Sequence, residues 1–160
     1  MTSDQILRVH LITLLQGKGA HLTFEDALAN FPMEHINTRP PNVSYTPWHL
    51  AEHLNIAQWD ILEYIRNPKH VSPQWPVGYW PSPDAQADAI AWNNTLQAFR
   101  DNLQTLIELV TNPATDLYTP IPHGYDGHTI LREILLVADH NAYHIGEFAI
   151  LRQVMNNWTS

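Results

Sequence analysis

Four stretches of this sequence repeat apolar residues at the spacing of an α-helix, and this periodicity constrains the fold more than any other feature. In the clearest stretch the steps are four and three residues, the spacing of a helix packed in a bundle. Its apolar positions are Ala85, Ala89, Trp92, Leu96, Phe99, Leu103 and Leu106. No segment alternates polar and apolar residues as a half-buried strand would. The sequence therefore predicts an all-α four-helix bundle in a single domain, residues 1–160.

Start and stop signals divide the chain into its elements. Thr46 followed by Pro47 is the strongest start, a capping residue before a proline at the first helical position. Ser3 and Ser82-Pro83 are the expected caps of two other long helices, and Thr23 with Asp26 resembles a capping box. The predicted helices span about 4–16, 23–29, 47–66, 82–112 and 129–155. The proline-rich loops between them are long, so the sequence leaves open which helices run parallel.

Composition excludes several classes of function. The net charge is −8 and the few Lys and Arg residues form no cluster, which argues against a surface for nucleic acid or anionic membrane. The chain has no Cys, so disulfides, cysteine zinc sites and a cysteine nucleophile are absent. The N-terminus lacks the basic region of a signal peptide, and the apolar run Ile6–Leu15 is too short to span a bilayer. We therefore expect a cytoplasmic protein.

Histidines on two of the predicted helices indicate a metal site. His140 and His144 lie one turn apart on one helical face, and Glu147 extends that face. A second pair, His49 and His53, is on the helix that follows Thr46, where His53 lies beside the apolar stripe. Neutral imidazole is a common ligand of zinc, nickel, copper and ferrous iron. Core-facing histidines on two helices favour a metal site over histidines that bond only to backbone or carboxylates.

Other known metal and catalytic motifs are absent, because their residues do not occur at the required spacing in this sequence. No Glu has a His three residues later, so the ligand pattern of a ferritin-like di-iron bundle is absent. The His-Glu-x-x-His motif of zincins, the Gly-x-Ser-x-Gly elbow and a glycine-rich phosphate loop are also missing. Haem ligation by two histidines stays open.

Two motifs resemble those of a known family. Trp48-His-Leu-Ala-Glu-His53, with Ala57-Gln-Trp-Asp60 after it, looks like the second-helix motif of the DinB/YfiT-like metalloenzymes. Asp139-His140-Asn-Ala-Tyr-His144-Ile-Gly-Glu147 is similar to the last-helix motif of the same family, and Leu151-Arg152 follows it. The resemblance covers nearly the whole chain in order and spacing. It implies a four-helix bundle with a three-histidine metal site, in a protein often isolated as a homodimer.

The resemblance also implies which residues form the site. The three metal ligands carry over as His53, His140 and His144. Position 147 is often Gln in the family, so Glu147 could be a fourth, carboxylate ligand. Glu147 and Asp60 are candidates for orienting a ligand histidine or acting as a base. The bound ion would be a divalent transition metal, zinc, nickel or iron, and the sequence does not choose among them.

Activity is the least determined part of the prediction. Three protein ligands leave an open position on the metal, as in catalytic sites. Relatives that this chain resembles include transferases and isomerases that depend on low-molecular-weight thiols. We therefore expect a metal-dependent hydrolase or thiol transferase with a small-molecule substrate. The alternatives are a metal-binding or stress-response protein without turnover, and a structural bundle whose histidines are merely buried.

Three further features are left open by the sequence. His49 could support the ligands, contact substrate or be exposed near the start of its helix. The aromatic, proline-rich loop Trp75–Trp80 could be a lid over one end of the bundle or the wall of a substrate pocket. His123 is expected to lie at the surface, in a loop that could reach a site at the bundle end.

Overall fold

The computed structural model describes residues 1–158, and its regular elements there are helices. They are α1 (Ser3–Leu15), α2 (Phe24–Leu28), α3 (Pro47–Arg66), α4 (Ala89–Thr111) and α5 (Ile130–Val154), with 3-10 turns at Met33–His35 and Val77–Tyr79. Within 1–158 the β-type pairing is an isolated bridge between Pro120 and Thr129. The all-α prediction is confirmed, with four long helices and the short α2.

Capping explains where α1 and α3 begin. At α3 the Thr46 side chain accepts a hydrogen bond from the His49 backbone N–H at 3.1 Å, with Pro47 at the first helical position as predicted. The cap of α1 is Thr2, not the predicted Ser3. Thr2 forms a complete capping box because Gln5, three residues later, bonds back to it. Ser3 would have the apolar Ile6 in that position.

The start of α4 is later than the sequence predicted. The helix begins at Ala89 with Asp88 as its cap, although Ser82-Pro83 carries a strong start signal. The intervening chain is held by tertiary hydrogen bonds instead. Asn37 donates to the Ala87 carbonyl at 2.8 Å and accepts from the Ala87 N–H at 2.9 Å. These two bonds keep the backbone from turning into a helix before Asp88.

The helices α3 and α4 run in the same direction. The Trp48 indole N–H donates to the Thr95 hydroxyl at 3.1 Å, and the Asn102 amide donates to Asn55 at 3.3 Å. Both pairs have the same sequence separation of 47 residues, so the two helices advance together. The segment 67–88 must therefore return along the whole length of α3 before α4 begins. We call this segment the crossover.

The helix α5 runs against α3. The side chain of His53, near the start of α3, meets His144, near the end of α5. Conversely, Leu62 and Ile65 at the end of α3 pack in one cluster with Ile134 at the start of α5. The chain therefore passes the histidine region twice in opposite directions, which brings the two predicted histidine motifs to one level of the bundle.

The helix α1 runs against α4. Arg8 donates to the Val110 carbonyl near the end of α4 at 2.8 Å, whereas Leu15 at the end of α1 borders the same cavity as Leu103. The helices α1 and α5 therefore run in one direction, and α3 and α4 run in the opposite direction. This result answers the question of direction that the sequence left open.

The interior consists of two apolar clusters, one at each end of the bundle. The cluster at the histidine end contains Leu50, Leu54, Trp92, Phe99, Ile145 and Phe148, and the other contains Leu11, Leu62, Leu106, Val110, Ile134 and Val137. Arg152 is 1% exposed and donates to the carbonyls of Ala27 and Ala29 at 2.9 and 2.8 Å. This buried cation therefore holds the end of α2 against α5. In the described part of the chain, none of the helices has the length and apolarity needed to cross a bilayer.

Candidate metal centre

Three histidine side chains from two helices converge at one point. The Nε2 atom of His53 lies 3.1 Å from Nε2 of His144 and 3.2 Å from Nε2 of His140. One nitrogen from each ring falls within 4.8 Å of the others, close enough to hold a single metal ion. His53 is 2% exposed and His144 8%, while His140 is half-buried. The structure thus brings together the three residues that the sequence proposed as ligands.

Hydrogen bonds determine which ring nitrogens can bind a metal. Nδ1 of His53 lies 2.8 Å from the Tyr79 carbonyl oxygen, and Nδ1 of His144 lies 2.6 Å from a carboxylate oxygen of Glu147. Both oxygens only accept, so each Nδ1 carries the proton of a neutral ring. Each Nε2 is then left with a lone pair. The 3.1 Å contact between them therefore joins two acceptors, which repel unless a cation or proton lies between them.

The spacing of these nitrogens matches a tetrahedral metal site. Zinc–nitrogen bonds of 2.0–2.1 Å at tetrahedral angles would separate two ligand atoms by about 3.3 Å. The distances from His53 to His144 and His140 are 3.1 and 3.2 Å. Neutral imidazole is also the ligand form that zinc, nickel and ferrous iron accept. The residues present therefore fit a divalent transition metal.

Burial keeps two of the three rings neutral. It lowers the pKa of His53 to about 4, against the opposing effect of its bond to Tyr79. Burial also lowers the pKa of His140 to about 4, and the neighbouring His144 and His53 lower it further. At neutral pH these rings therefore present lone pairs without competition from protons.

Glu147 is placed to orient one ligand. It lies one turn after His144 on α5 and accepts the Nδ1–H of that ring. A carboxylate in this position fixes the tautomer and raises the basicity of a ligand histidine. Its side chain keeps 30% of its surface exposed. Burial raises the pKa of Tyr45, and the negative charge of Glu147 raises it further.

The crossover covers part of the histidine cluster, because one of its aromatic side chains packs on His53. The Trp80 ring stacks on His53 with centroids 3.9 Å apart and planes 4° from parallel. Tyr45 packs against Trp80 at 5.3 Å, whereas Trp75 is 70% exposed. Of the aromatic residues in the predicted loop, Trp80 is thus the one that shields a candidate ligand. Sequence reasoning missed this stacking, and also the Tyr79 carbonyl, because both depend on the path of the crossover.

Asp60 lies outside the ligand cluster. One of its oxygens accepts from His70 Nε2 and the other from the Tyr79 hydroxyl, both at 2.6 Å. Burial, and then the bond to Asp60, raises the pKa of Tyr79 to about 12. The carbonyl of the same Tyr79 accepts the proton of His53. Asp60 is thus connected to the candidate ligands through the residue that it anchors.

His49 and His123, whose roles the sequence left open, both bond to backbone groups. His49 is 2% exposed. Its Nε2 donates to the Ala85 carbonyl at 2.8 Å and its Nδ1 accepts from the Thr46 N–H at 3.4 Å. Both ring nitrogens are therefore used inside the chain, and His49 anchors the crossover. His123 is exposed and donates to the Tyr64 carbonyl at 2.9 Å.

Comparison with known protein families places the three converging histidines within one family match. A family model of the DinB superfamily matches residues 19–148. This range contains α2 to α4, most of α5, the three converging histidines and Glu147. No curated protein and no solved structure matches the chain. The chain belongs to the DinB superfamily.

Proposed function

We propose that this protein is a metal-dependent enzyme that holds a divalent ion through His53, His140 and His144. The ion is zinc, nickel or iron in this proposal. The observation that carries it is the convergence of the Nε2 atoms at 3.1 and 3.2 Å while two Nδ1 atoms are committed to Tyr79 and Glu147. Rings that only filled the core would have no reason to direct lone pairs at one another.

The proposed reaction is hydrolysis or the transfer of a low-molecular-weight thiol to a small electrophilic substrate. A bound divalent ion would supply an open coordination position and lower the pKa of water or of a thiol there. The chain has no Cys, so the sulfur of a thiol transfer would come from a second small molecule. In that transfer the thiol gives its proton to a base, for which Glu147 is the candidate, and its sulfur bonds to the electrophilic carbon while the leaving group departs with the electron pair of the broken bond.

The surrounding residues have supporting roles in this proposal. Glu147 holds the proton of His144 at Nδ1 and so keeps the opposite nitrogen directed at the site. Trp80 lies flat on His53 and limits access of water from that side. Asp60 holds Tyr79, whose carbonyl fixes the tautomer of His53. Glu147 is also the candidate base, because it is partly exposed and next to a ligand.

Metal analysis of protein purified without a histidine tag tests the first half of the proposal. After supplementation we expect one equivalent of zinc, nickel or iron per chain, and loss of that equivalent in His53→Ala. A wild-type protein that stays metal-free, with His53→Ala no different, would contradict the metal site and favour a structural bundle.

An activity screen tests the second half. The metal-loaded protein would be assayed for ester hydrolysis and for conjugation of small thiols to electrophiles, with His53→Ala as the control. Turnover that is lost in His53→Ala supports an enzyme. A protein that binds one equivalent of metal and turns over neither class would support the metal-binding or stress-response alternative.

Two further parts of the proposal concern the oligomeric state and the cellular location. We propose a homodimer, which sedimentation analysis of the metal-loaded protein would test. We also propose a cytoplasmic protein, because small thiols are kept reduced in that compartment. Fractionation of the source cells would test the location.

A further inference from the structure

A groove lies next to Glu147, the carboxylate that bonds to the candidate ligand His144, and we propose that it binds the apolar part of a small-molecule substrate. The groove has a volume of about 320 Å³ and lies between the segment 40–45 and the last half of α5. Its walls include Pro41, Val43, Tyr45, Gly146 and Glu147. We call it the Glu147 groove. This inference rests on the proposed metal-dependent activity and adds the class of substrate.

The groove is joined to the candidate ligands through two of its walls. Glu147 contributes a carboxylate oxygen that lies 2.6 Å from Nδ1 of His144. Tyr45 packs on Trp80, which in turn stacks on His53. Each of these walls is therefore at most one side chain away from a histidine of the cluster. A molecule in the groove would therefore lie against side chains that connect to the histidine cluster.

Gly146 lines the groove and faces open space. It is exposed in the interior of α5, where glycine is less favourable than alanine. A Cβ atom built at this position would meet nothing within 4 Å. Close packing inside the chain therefore does not explain the glycine. The space above it is available to a molecule from outside.

The surface next to Gly146 is apolar and uncovered. Ile150 and Val154 follow it at successive turns of α5, line the same groove and are 59% and 51% exposed. Covering such side chains is favourable in proportion to the apolar area removed from water. The concave shape and the volume of about 320 Å³ are those of a small-ligand site. A small molecule fits this description better than the flat contact expected of a second copy of the chain.

The chemistry of the walls describes the ligand. Its buried part is an uncharged aliphatic chain or ring, because apolar side chains line the groove and the Glu147 carboxylate at its edge disfavours an anion. Its polar head carries the reacting group toward the histidine cluster. The substrate class is therefore an amphipathic small molecule with an apolar tail, such as a medium-chain ester or a hydrophobic electrophile.

Binding of alkyl hydroxamates to the zinc-loaded protein tests this inference, because their head group binds zinc and their tail length can be varied. We expect affinity to rise about threefold to fourfold for each methylene that the groove covers, measured by calorimetry from acetohydroxamate to octanohydroxamate. The readout is the ratio of the affinity for octanohydroxamate to the affinity for acetohydroxamate. A change in the metal centre alters both affinities equally and so leaves this ratio unchanged. In Gly146→Leu the new side chain fills the groove, so this ratio is expected to fall toward one.

Val71→Leu is the matched control, since Val71 is 86% exposed and lies outside the groove; its ratio is expected to equal that of the wild type. Equal affinities for the short and long hydroxamates in the wild type would overturn the groove but leave the metal site standing. Failure to bind zinc, nickel or iron would overturn the proposed function itself. An unchanged ratio in Gly146→Leu, with a dimer that dissociates, would make the groove an interface between copies and overturn the inference.

Discussion

Histidines gather at two places along α3, and the two groups differ in how their nitrogens are satisfied. At one place His70, His123 and His128 each bond to a partner in the chain. His70 donates to Asp60 at 2.6 Å and His123 to the Tyr64 carbonyl at 2.9 Å. His128 has its Nδ1 3.1 Å from the Tyr64 hydroxyl and 3.3 Å from Glu133. We call these the partnered histidines.

At the other place His53, His140 and His144 direct Nε2 atoms at one another. Two of these rings have their Nδ1 protons bound by Tyr79 and Glu147, which leaves the inward nitrogens as acceptors. The comparison shows that histidine content alone does not indicate a metal site. What distinguishes the cluster is that ring nitrogens of three histidines converge, two of them as acceptors.

The largest expected difference between the two groups is in metal binding. His140→Ala should weaken zinc binding by more than about 100-fold, because removing a ligand exceeds the 10–100-fold loss typical of its supporting groups. His128→Ala should leave zinc binding unchanged. Calorimetry with zinc on both variants measures this. Equal losses in the two variants would contradict the division between the groups.

Removing Asp60 should affect stability more than metal content. Asp60→Ala leaves the buried His70 N–H and the Tyr79 hydroxyl without an acceptor, which costs about 1–3 kcal/mol of unfolding free energy. Urea denaturation measures the loss. His123→Ala, which removes one exposed contact, is the control and should stay within about 0.5 kcal/mol of the wild type. Loss of the zinc equivalent in Asp60→Ala would instead make Asp60 part of the metal site.

An effect on zinc affinity smaller than that of His140→Ala is expected at Glu147. Glu147→Ala should reduce zinc affinity about 10–100-fold, because His144 loses the group that fixes its tautomer. Glu147→Gln should recover most of that loss, since an amide oxygen can also accept the Nδ1 proton. The same calorimetry measures both variants. A glutamine variant as weak as the alanine variant would indicate that the carboxylate charge, as in a fourth ligand, is what matters.

The last expected difference concerns pH. The pKa values of His53 and His140 are lowered from 6.5 to about 4 in the folded protein. The unfolded chain therefore binds more protons between these values, and the metal-free protein should lose stability as pH falls from about 6.5 to 4. Urea denaturation across this range measures the slope. His140→Gln should have a shallower slope, and an equal slope would contradict the assignment.

Local signals predicted much of the fold. The helical class follows from apolar spacing, and the capping box at Thr23 and the cap at Thr46 form as predicted. Ser82-Pro83 failed as a helix start because Asn37 holds the nearby backbone at Ala87. A start signal expresses only a local preference. Hydrogen bonds from distant residues can override it.

The candidate site likewise has features that the local sequence predicts and features that it does not. His140, His144 and Glu147 share a face because the helical repeat alone places residues four and three apart together. The pairing of His144 with Glu147 was therefore within reach of the sequence. The stacking of Trp80 on His53 was not, nor was the bond from His49 to Ala85, because both depend on how the crossover packs against α3.

The sequence by itself determined the helical class through its apolar spacing, and the resemblance of its two histidine motifs to the DinB/YfiT-like family indicated the family and the three candidate ligands. Only the tertiary structure decided that α3 and α4 run parallel and that the crossover lies over His53. It also decided that Asp60 anchors Tyr79 and that Glu147, which bonds to His144, lines a groove. The physical reason is that contacts between helices depend on packing across large sequence separations, which no local spacing specifies.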